Sequence, residues 1–402
     1  MQARPGRMGA VLVQQLVAVE LAVLLVALPL ATDKSLVVPG GIAATLLLAG
    51  VLPRYRGRRI ALWPGILLGF RNRRRARPNT PAPQGAQHSA TEPDLSPVRE
   101  CLPGLAFTSA TDRTRRPVGM AGDGTFLTAV MLVEAPDEPL RPRRTRRPLP
   151  LAAVAEALRI DDVALASAQI VQLTQPAPAP HLPAQALASR SYTELRDREN
   201  LDVPAVRQTW IALRLVPEQC ATAVAARGGG LEGAQRTLLR AVNQLSATLG
   251  QSGLDCRVLD EQALVQALFA ACGANPAVRR TGRGGTRTTE TRHAWRCDDR
   301  WHTTYWISRW PRLSPGGTPD LVGALTGTPG LATTFSLTAQ QGGGGSVGLT
   351  GHLRVSARSA DELDRAAQRL EARARSLRVG LVRLDWEQQP GLVATLPLGG
   401  HA

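Results

Sequence analysis

The chain has 402 residues and a formal net charge of +16, carried by arginine, with Lys34 as the sole lysine. Any chemistry that needs a lysine beyond residue 34 is thereby excluded, whether a P-loop, a kinase strand lysine or a Schiff base. Charged residues make up 20% and hydrophobic ones 44%, enough for a folded core.

Val11–Ala31 and Leu36–Leu52 are apolar runs of 21 and 17 residues. The first amounts to roughly 31 Å of helix, enough to cross a bilayer core. Only Thr32 to Ser35 separates the two, which predicts a transmembrane hairpin. Arg4 and Arg7 precede it, and Arg54, Arg56, Arg58 and Arg59 form a collar behind it. Positive flanks stay inside, so a two-pass protein of the inner (cell) membrane with both termini cytoplasmic is expected. A cleaved signal peptide is the alternative for the first run, although no small-x-small site follows it. The collar predicts contact with anionic lipid headgroups, at ~1 kcal/mol per basic residue. Arginines concentrated beside a membrane favour lipid over nucleic acid. Glu20 lies mid-span and predicts contact with another subunit, a protonated or snorkelling carboxylate being the alternative.

Ile60–Phe70 is too short to span and reads as an interfacial segment anchored by Trp63, or as the start of the soluble fold. Residues 76–97, rich in Pro, Ala, Thr and Ser, read as a tether. The expected organisation is a hairpin and collar over 1–59, a juxtamembrane segment and tether over 60–99, and a cytoplasmic domain over 100–402. That domain has a candidate division into 100–200 and 201–402. Arg141, Arg143, Arg144, Arg146 and Arg147 lie among prolines and read as a solvated loop. The five cysteines, odd in number and without a C-x-x-C spacing, read as reduced, buried thiols.

Within the domain, Pro117–Glu134 predicts a hairpin turning at Asp123-Gly124. Leu149–Leu158 predicts a helix, Val163–Gln172 a strand, and Gln175–Pro183 a loop. Two later stretches share a plan. Thr209–Leu215, Leu231–Leu249, Leu254–Leu259 and Glu261–Ala271 read strand, helix, strand, helix. Val347–Ala357, Ala360–Leu377 and Gly380–Trp386 read strand, helix, strand, then a short apolar tail. Ser359 and Glu362 form a capping box for the second of these helices. The fold class expected is therefore α/β (mixed α+β), with two strand–helix–strand units.

Between these units Trp295, Trp301, Tyr305, Trp306 and Trp310 fall in one hairpin turning at Asp298-Asp299. Trp301, Tyr305, Trp306 and Trp310 are candidate partner-interface residues, since Trp and Tyr dominate interface hot spots. A core strand and a ligand pocket are the alternatives.

Several motifs have a plainer reading. Gly344-Gly345-Ser346-Val347-Gly348 matches a nucleophile elbow but lies between two strand-like segments, which favours a hairpin loop. His293, Cys297 and His302 lack a fourth ligand at a zinc spacing. Gly228-Gly229-Gly230 precedes a helix and suits either a phosphate cradle or a flexible helix start. Asp161-Asp162 and Asp298-Asp299 suit turns, or a divalent cation in a membrane-anchored, glycosyltransferase-like enzyme, which is the alternative function. No cofactor and no structural metal is expected.

The chain resembles EccE, a membrane component of actinobacterial type VII (ESX) secretion systems. The residues that carry the resemblance are the two N-terminal runs, Pro117–Val133, Arg207–Leu215, Ala226–Gly230, and His302–Trp306 running to Trp310-Pro311. The resemblance implies a non-enzymatic structural subunit of an inner-membrane complex. It also implies EccB, EccC, EccD and the mycosin protease as partners, with EccC supplying the ATPase.

Overall fold

The computed structural model describes residues 7–8, 11–12, 20–28, 38–39, 41–45, 54–55, 58–59, 63–75, 95–135, 148–176, 186–187, 190–191, 194, 206–275, 278, 286–312, 317–328, 330–342 and 346–400. The chain divides into two compact units, Met1–Ala76 and Arg77–Ala402.

In the first unit, Arg7–Met8 pairs antiparallel with Val11–Leu12. Residues 20–28, 38–39 and 41–45 are helical. No helix among the described residues is long and apolar enough to cross a membrane. The two-helix hairpin expected over 11–31 and 36–52 is thus not found among them. Its first two residues, Val11 and Leu12, lie in a strand ladder instead. Within 20–45 several apolar side chains remain exposed, among them Val23 at 61%, Leu28 at 59% and Val38 at 69%. The collar is itself folded, Arg54–Tyr55 pairing with Arg58–Arg59, while Arg56 lies outside the described residues.

Helix α1, Trp63–Arg75, follows. Its 13 residues make roughly 20 Å, short of a bilayer core. Pro64 sits in the first turn, where a missing N–H costs nothing. Arg73, Arg74 and Arg75 complement the dipole in the last turn, and the Arg74 guanidinium lies 5.6 Å from the buried Phe70 ring.

The second unit is a three-layer domain around one antiparallel sheet. In chain order its elements are α2 (Ser96–Cys101), β1 (Ala106–Thr111), β2 (Pro117–Gly122), β3 (Leu127–Glu134), α3 (Leu151–Glu156) and β4 (Ser167–Gln175). Next come β5 (Val206–Leu215), α4 (Gly230–Gln251), β6 (Asp255–Val258), α5 (Glu261–Cys272), β7 (Thr288–Glu290), β8 (Trp295–Cys297) and β9 (Arg300–Arg309). The last are α6 (Thr318–Thr326), β10 (Ala332–Gln341), β11 (Val347–Ala357), α7 (Ala360–Ser376), β12 (Gly380–Arg383) and α8 (Gln388–Ala394).

The strand order is β7-β8-β9-β11-β10-β4-β5-β3-β2-β1, and it reads the same plan from either end. Leaving aside the Arg159–Ile160/Val163–Ala164 ladder and the short Pro217–Cys220 and Ala221–Ala226 helices, the chain runs β-α-β-β-α-β from β3 to β6, and it does so again from β9 to β12, each time in the split arrangement of ferredoxin-like folds. In each half a preceding hairpin strand pairs the first part of the leading strand, and the post-helix strand pairs its second part. Thus β2 takes Leu127–Ala129 and β6 takes Met131–Glu134. Likewise β8 takes Arg300–His302 and β12 pairs from Tyr305 to Arg309. Leu259 N donates to Val130 O at 2.9 Å where Leu384 N donates to Thr304 O at 3.0 Å. Taking Val130 and Thr304 as equivalent, the ladders make Ala212 equivalent to Arg354 and Gln169 to Thr334. The two strand–helix–strand units lie one in each half and share one sheet, joined by the antiparallel β4–β10 ladder from Ser167↔Gln340 to Thr174↔Thr333.

One face of the sheet packs apolar side chains against α3, α4, α6 and α7. The other packs against α2, α5 and α8. The amphipathic stripe of α7 (Leu363, Ala366, Ala367, Leu370) is buried as its spacing requires. Its capping box forms with one change: Glu362 N donates to Ser359 Oγ, but the Glu362 carboxylate accepts from Arg358 N, one residue earlier than in the standard box.

Other expectations shift. The hairpin at Asp123-Gly124 forms, with Asp123 accepting from Thr125 N at 2.9 Å. The strand placed at 163–172 starts instead at Ser167, because Val163–Ala164 pairs with Arg159–Ile160 in a small ladder of its own. The apolar tail after β12 is a helix, α8, and β12 itself ends at Arg383. Ser96 and Pro97, read as the end of the tether, begin α2. The rest of the tether (76–94), the arginine run 141–147 and the loop at 177–183 lie outside the described residues.

Residues 395–400 strap the sheet face beside the β4–β10 ladder. Gln169 Oε1 accepts from Gly399 N and Gly400 N, both at 2.8 Å, and its Nε2 donates to Ser336 Oγ and Ala394 O at 2.9 Å. Arg214 Nη1 donates to Gly400 O at 2.9 Å. Gly399 and Gly400 both take positive φ, 87° and 74°, and a Cβ on Gly399 would strike Arg214. Gln169→Ala leaves Gly399 N and Gly400 N without their acceptor, while Ser336 Oγ and Ala394 O keep each other at 2.9 Å, and should destabilise the domain by about 2–4 kcal/mol. Chemical unfolding would measure this, with faster amide exchange at Gly399 and Gly400 as the local sign.

Candidate interaction surface around the aromatic strand

β9 is an interior strand, with β11 on one side and β8 and β12 on the other. Alternation sends Trp301, Thr303, Tyr305 and Ile307 to one face and His302, Thr304 and Trp306 to the other. The large rings are thereby divided. Tyr305 is 1% exposed, and its Oη donates to Glu371 on α7 at 2.8 Å. Burial, then the charge of Glu371, pushes its phenol well up from the usual range. Of the four candidate interface rings, Tyr305 is therefore a core residue.

Trp301, Trp306 and Trp310 are half-buried. Trp301 packs beside Ala294, Ala357 and Leu363, with the Arg296 guanidinium 5.3 Å from its ring. Trp306 stands opposite His352 on β11 and Val382 on β12. Trp310 meets Phe335 edge-on, centroids 6.4 Å apart, and lies over Gly351, where any Cβ would collide with its ring. Residue 351 is thus held to glycine by contact rather than by backbone conformation.

The face under α5 and α8 differs between the halves. In the first half its centre is apolar, with Val130, Leu132, Trp210 and Ala212, flanked by the buried polar Thr128, Ser167 and Gln169 beneath residues 395–400. In the second it is polar, with His302, Thr304, Thr334, Ser336 and Arg354 all buried. Arg354 donates to Cys272 O at 3.0 Å, to Ala271 O and to Thr334 Oγ1, and Arg300 donates to Gly273 O and Ala274 O. Two guanidinium groups of the second half thus cap the C-terminus of α5 from the first, where the helix dipole favours cations. Burial lowers the Arg354 pKa to about 10, leaving it charged at neutral pH. Burial also holds His302 well below its usual range, with Arg354 and Arg300 adding to the effect. Its Nδ1 meets Ser356 Oγ at 2.7 Å.

The catalytic and metal readings find their residues otherwise engaged. Asp162 is bidentate with Arg227 at 2.7 and 2.8 Å, and Asp161 pairs with Arg240 at 2.7 Å. Asp298, at a turn with φ 55°, forms a buried pair with Arg287 at 2.6 and 2.8 Å, and Asp299 accepts from Asn275 Nδ2. His293 turns away from His302 and meets Asp385 and Arg383, each at 3.1 Å. Cys297 is buried, and hydrogen bonding with Cys272, then burial, pushes its thiol far up. Among the described residues no three His, Cys, Asp or Glu side chains gather as a metal site. Two of the three glycine amides before α4 are used: Gly228 N donates to Ala225 O and Gly229 N to Val224 O. The elbow-like glycine run sits in the β10–β11 hairpin, with Gly342 N donating to Ser346 O; residues 343–345 lie outside the described residues.

Residues 203–307 match the family described as "Putative type VII ESX secretion system translocon, EccE". The matched stretch runs from the approach to β5 to Ile307 of β9, and so takes in α4, β6, α5 and the aromatic hairpin. This bears out the resemblance read from Arg207–Leu215, Ala226–Gly230 and His302–Trp306. Pro117–Val133, Trp310-Pro311 and the N-terminal runs lie outside the match. No curated protein matches the chain.

Burial alone would raise the Asp385 pKa, but hydrogen bonds from Arg383 and His293 outweigh it and hold the carboxyl below its usual value. A depressed carboxylate contributes stability that is complete above its unfolded pKa of about 3.9 and is lost as pH falls through the folded value. Unfolding titrations between pH 5 and 2 should show Asp385→Asn with a shallower acid limb than the parent chain.

Proposed function

We propose that this chain is a non-catalytic structural subunit of a type VII secretion complex in the cell membrane. The match of residues 203–307 to the EccE family carries the reading. The family as such is a secretion-system component; the architectural role, the two-pass anchor and the partner set are our reading of it. In that reading the N-terminal unit anchors the chain, the arginines of the collar and α1 meet anionic headgroups, and the second unit docks against EccB, EccC, EccD or the mycosin protease.

Three observations support it. Apolar side chains within 20–45 are exposed, such as Leu21, Leu24 and Ile42 at 49%, 59% and 57%, and apolar surface of this kind marks contact with lipid or another protein. The aspartates needed by the enzyme alternative are tied to arginine and asparagine, which favours a structural role for them. Trp301, Trp306 and Trp310 each present a half-buried ring, as contact residues do before a partner arrives.

Tagged full-length chain purified from its native membranes in mild detergent should come with a large particle containing a multidomain ATPase and multi-span proteins. Recovery of the chain alone from intact membranes would end this reading. Glu20→Leu should reduce the partner yield severalfold while leaving expression unchanged, and an unchanged particle would remove the proposed contact at Glu20.

A further inference from the structure

An apolar groove of about 260 Å³ opens beside the β4–β10 ladder on the face that α3, α4, α6 and α7 cover. Leu151 and Val154 of α3 form one wall, Ile170 of β4 and Leu337 of β10 the floor, and Val347 and Leu349 of β11 the far side. Leu349 is 55% exposed and Val347 43%. The ladder between β9 and β11 stops at Ile307↔Gly351. Val347, Gly348, Leu349 and Thr350 therefore pair with β10 on one edge only, and among the described residues no strand takes the other edge.

The fold does not impose this apolar surface, because its own duplicate offers a control. By the register equivalence, Leu337, Ala339 and Leu349 correspond to Gln172, Thr174 and Arg207 in the other half. The same sheet positions there are polar. An open strand edge bearing branched apolar side chains is a standing aggregation hazard, which proteins blunt with charge, proline or a bulge. Here the edge itself carries none of these.

The shape and charge of the site define what fits it. An unpaired edge with a side-chain groove beside it is the arrangement that accepts an extended strand, whose backbone pairs while alternate side chains enter the groove. Past Ile307, where β9 leaves β11, the chain continues through exposed Arg309 and Arg312, while exposed Glu156 and Arg159 at the α3 end are of opposite charge. A second copy would set Arg309 and Arg312 against themselves on a chain of net charge +16, a repulsion that disfavours self-pairing.

We propose that the Val347–Thr350 edge and its groove are a docking site for an extended, acidic segment of a partner protein, bearing one or two branched apolar side chains. The proposal rests on the reading of the chain as an assembly subunit. Its test places the photo-crosslinking residue p-benzoylphenylalanine at Leu349 of the full chain in native membranes, with Leu231, 56% exposed on α4, as the control position. After irradiation and purification in mild detergent, crosslinked peptides are mapped by mass spectrometry. The expected product joins position 349 to a segment of another subunit with an excess of Asp and Glu. Its yield should fall at least fivefold in Arg309→Glu/Arg312→Glu, exposed changes that leave the thermal unfolding midpoint unaltered, and the product should be absent from position 231. A crosslink to a second copy, to lipid or to a basic segment would overturn the site, as would no crosslink in a particle that retains its partners. Recovery of the chain without partners would instead overturn the assembly reading on which the site depends.

Discussion

A strand at the margin of a sheet leaves a row of N–H and C=O groups unpaired, and each half of this domain would end in one were β4 and β10 not bonded to each other. Their ladder turns two four-stranded cores into one continuous sheet. Everything around it follows from that join. The strap of residues 395–400 lies across it, Gln169 satisfies that strap from within β4, and Arg354 and Arg300 reach from one half to cap a helix of the other. Stability, on this plan, is pooled between the halves.

The outer margins are handled differently. At the β7 end the Glu100 carboxylate accepts from Arg287 N, Thr288 N and Thr288 Oγ1, which occupies the edge with a side chain from α2. A buried Arg287–Asp298 pair holds the same corner. Such a pair costs desolvation, and here the surrounding hydrogen bonds compensate for it. Closure of one margin by α2 contrasts with the open, apolar start of β11.

What the sequence made legible was local. The Asp123-Gly124 turn, the Ser359 cap and the stripe of α7 each depend on residues within a few positions, and all three appear in the structure. Two strand–helix–strand units were readable for the same reason, since β5-α4-β6 and β11-α7-β12 are contiguous. Their union was not, because the pairing of Ile170 with Leu337 leaves no trace in nearby residues. The polar layer misled in a second way: Thr334, Ser336 and Arg354 have the composition of a surface strand, yet α8 and the strap bury them. Seven residues were too few for α8 to show a period. Aromatic crowding marked the right hairpin, but only packing against Glu371 and Gly351 separates Tyr305 from Trp310.

The ladder that joins the halves is antiparallel and links equivalent strands, so Val171 faces Ser336, its own counterpart under the register. That is the geometry a two-fold homodimer of a single half would adopt, with the same patch meeting itself. In a homodimer any substitution enters both sides at once, and a buried Arg354 would appear twice. Fusing the copies into one chain lifts that constraint. The centre of one sheet face is apolar where its twin is a buried polar layer, and beside the open start of one strand stand Leu337 and Leu349 where the other half has Gln172 and Arg207. The asymmetry that a binding surface requires is thus a freedom that joining two like halves in one chain gives to a symmetric sheet.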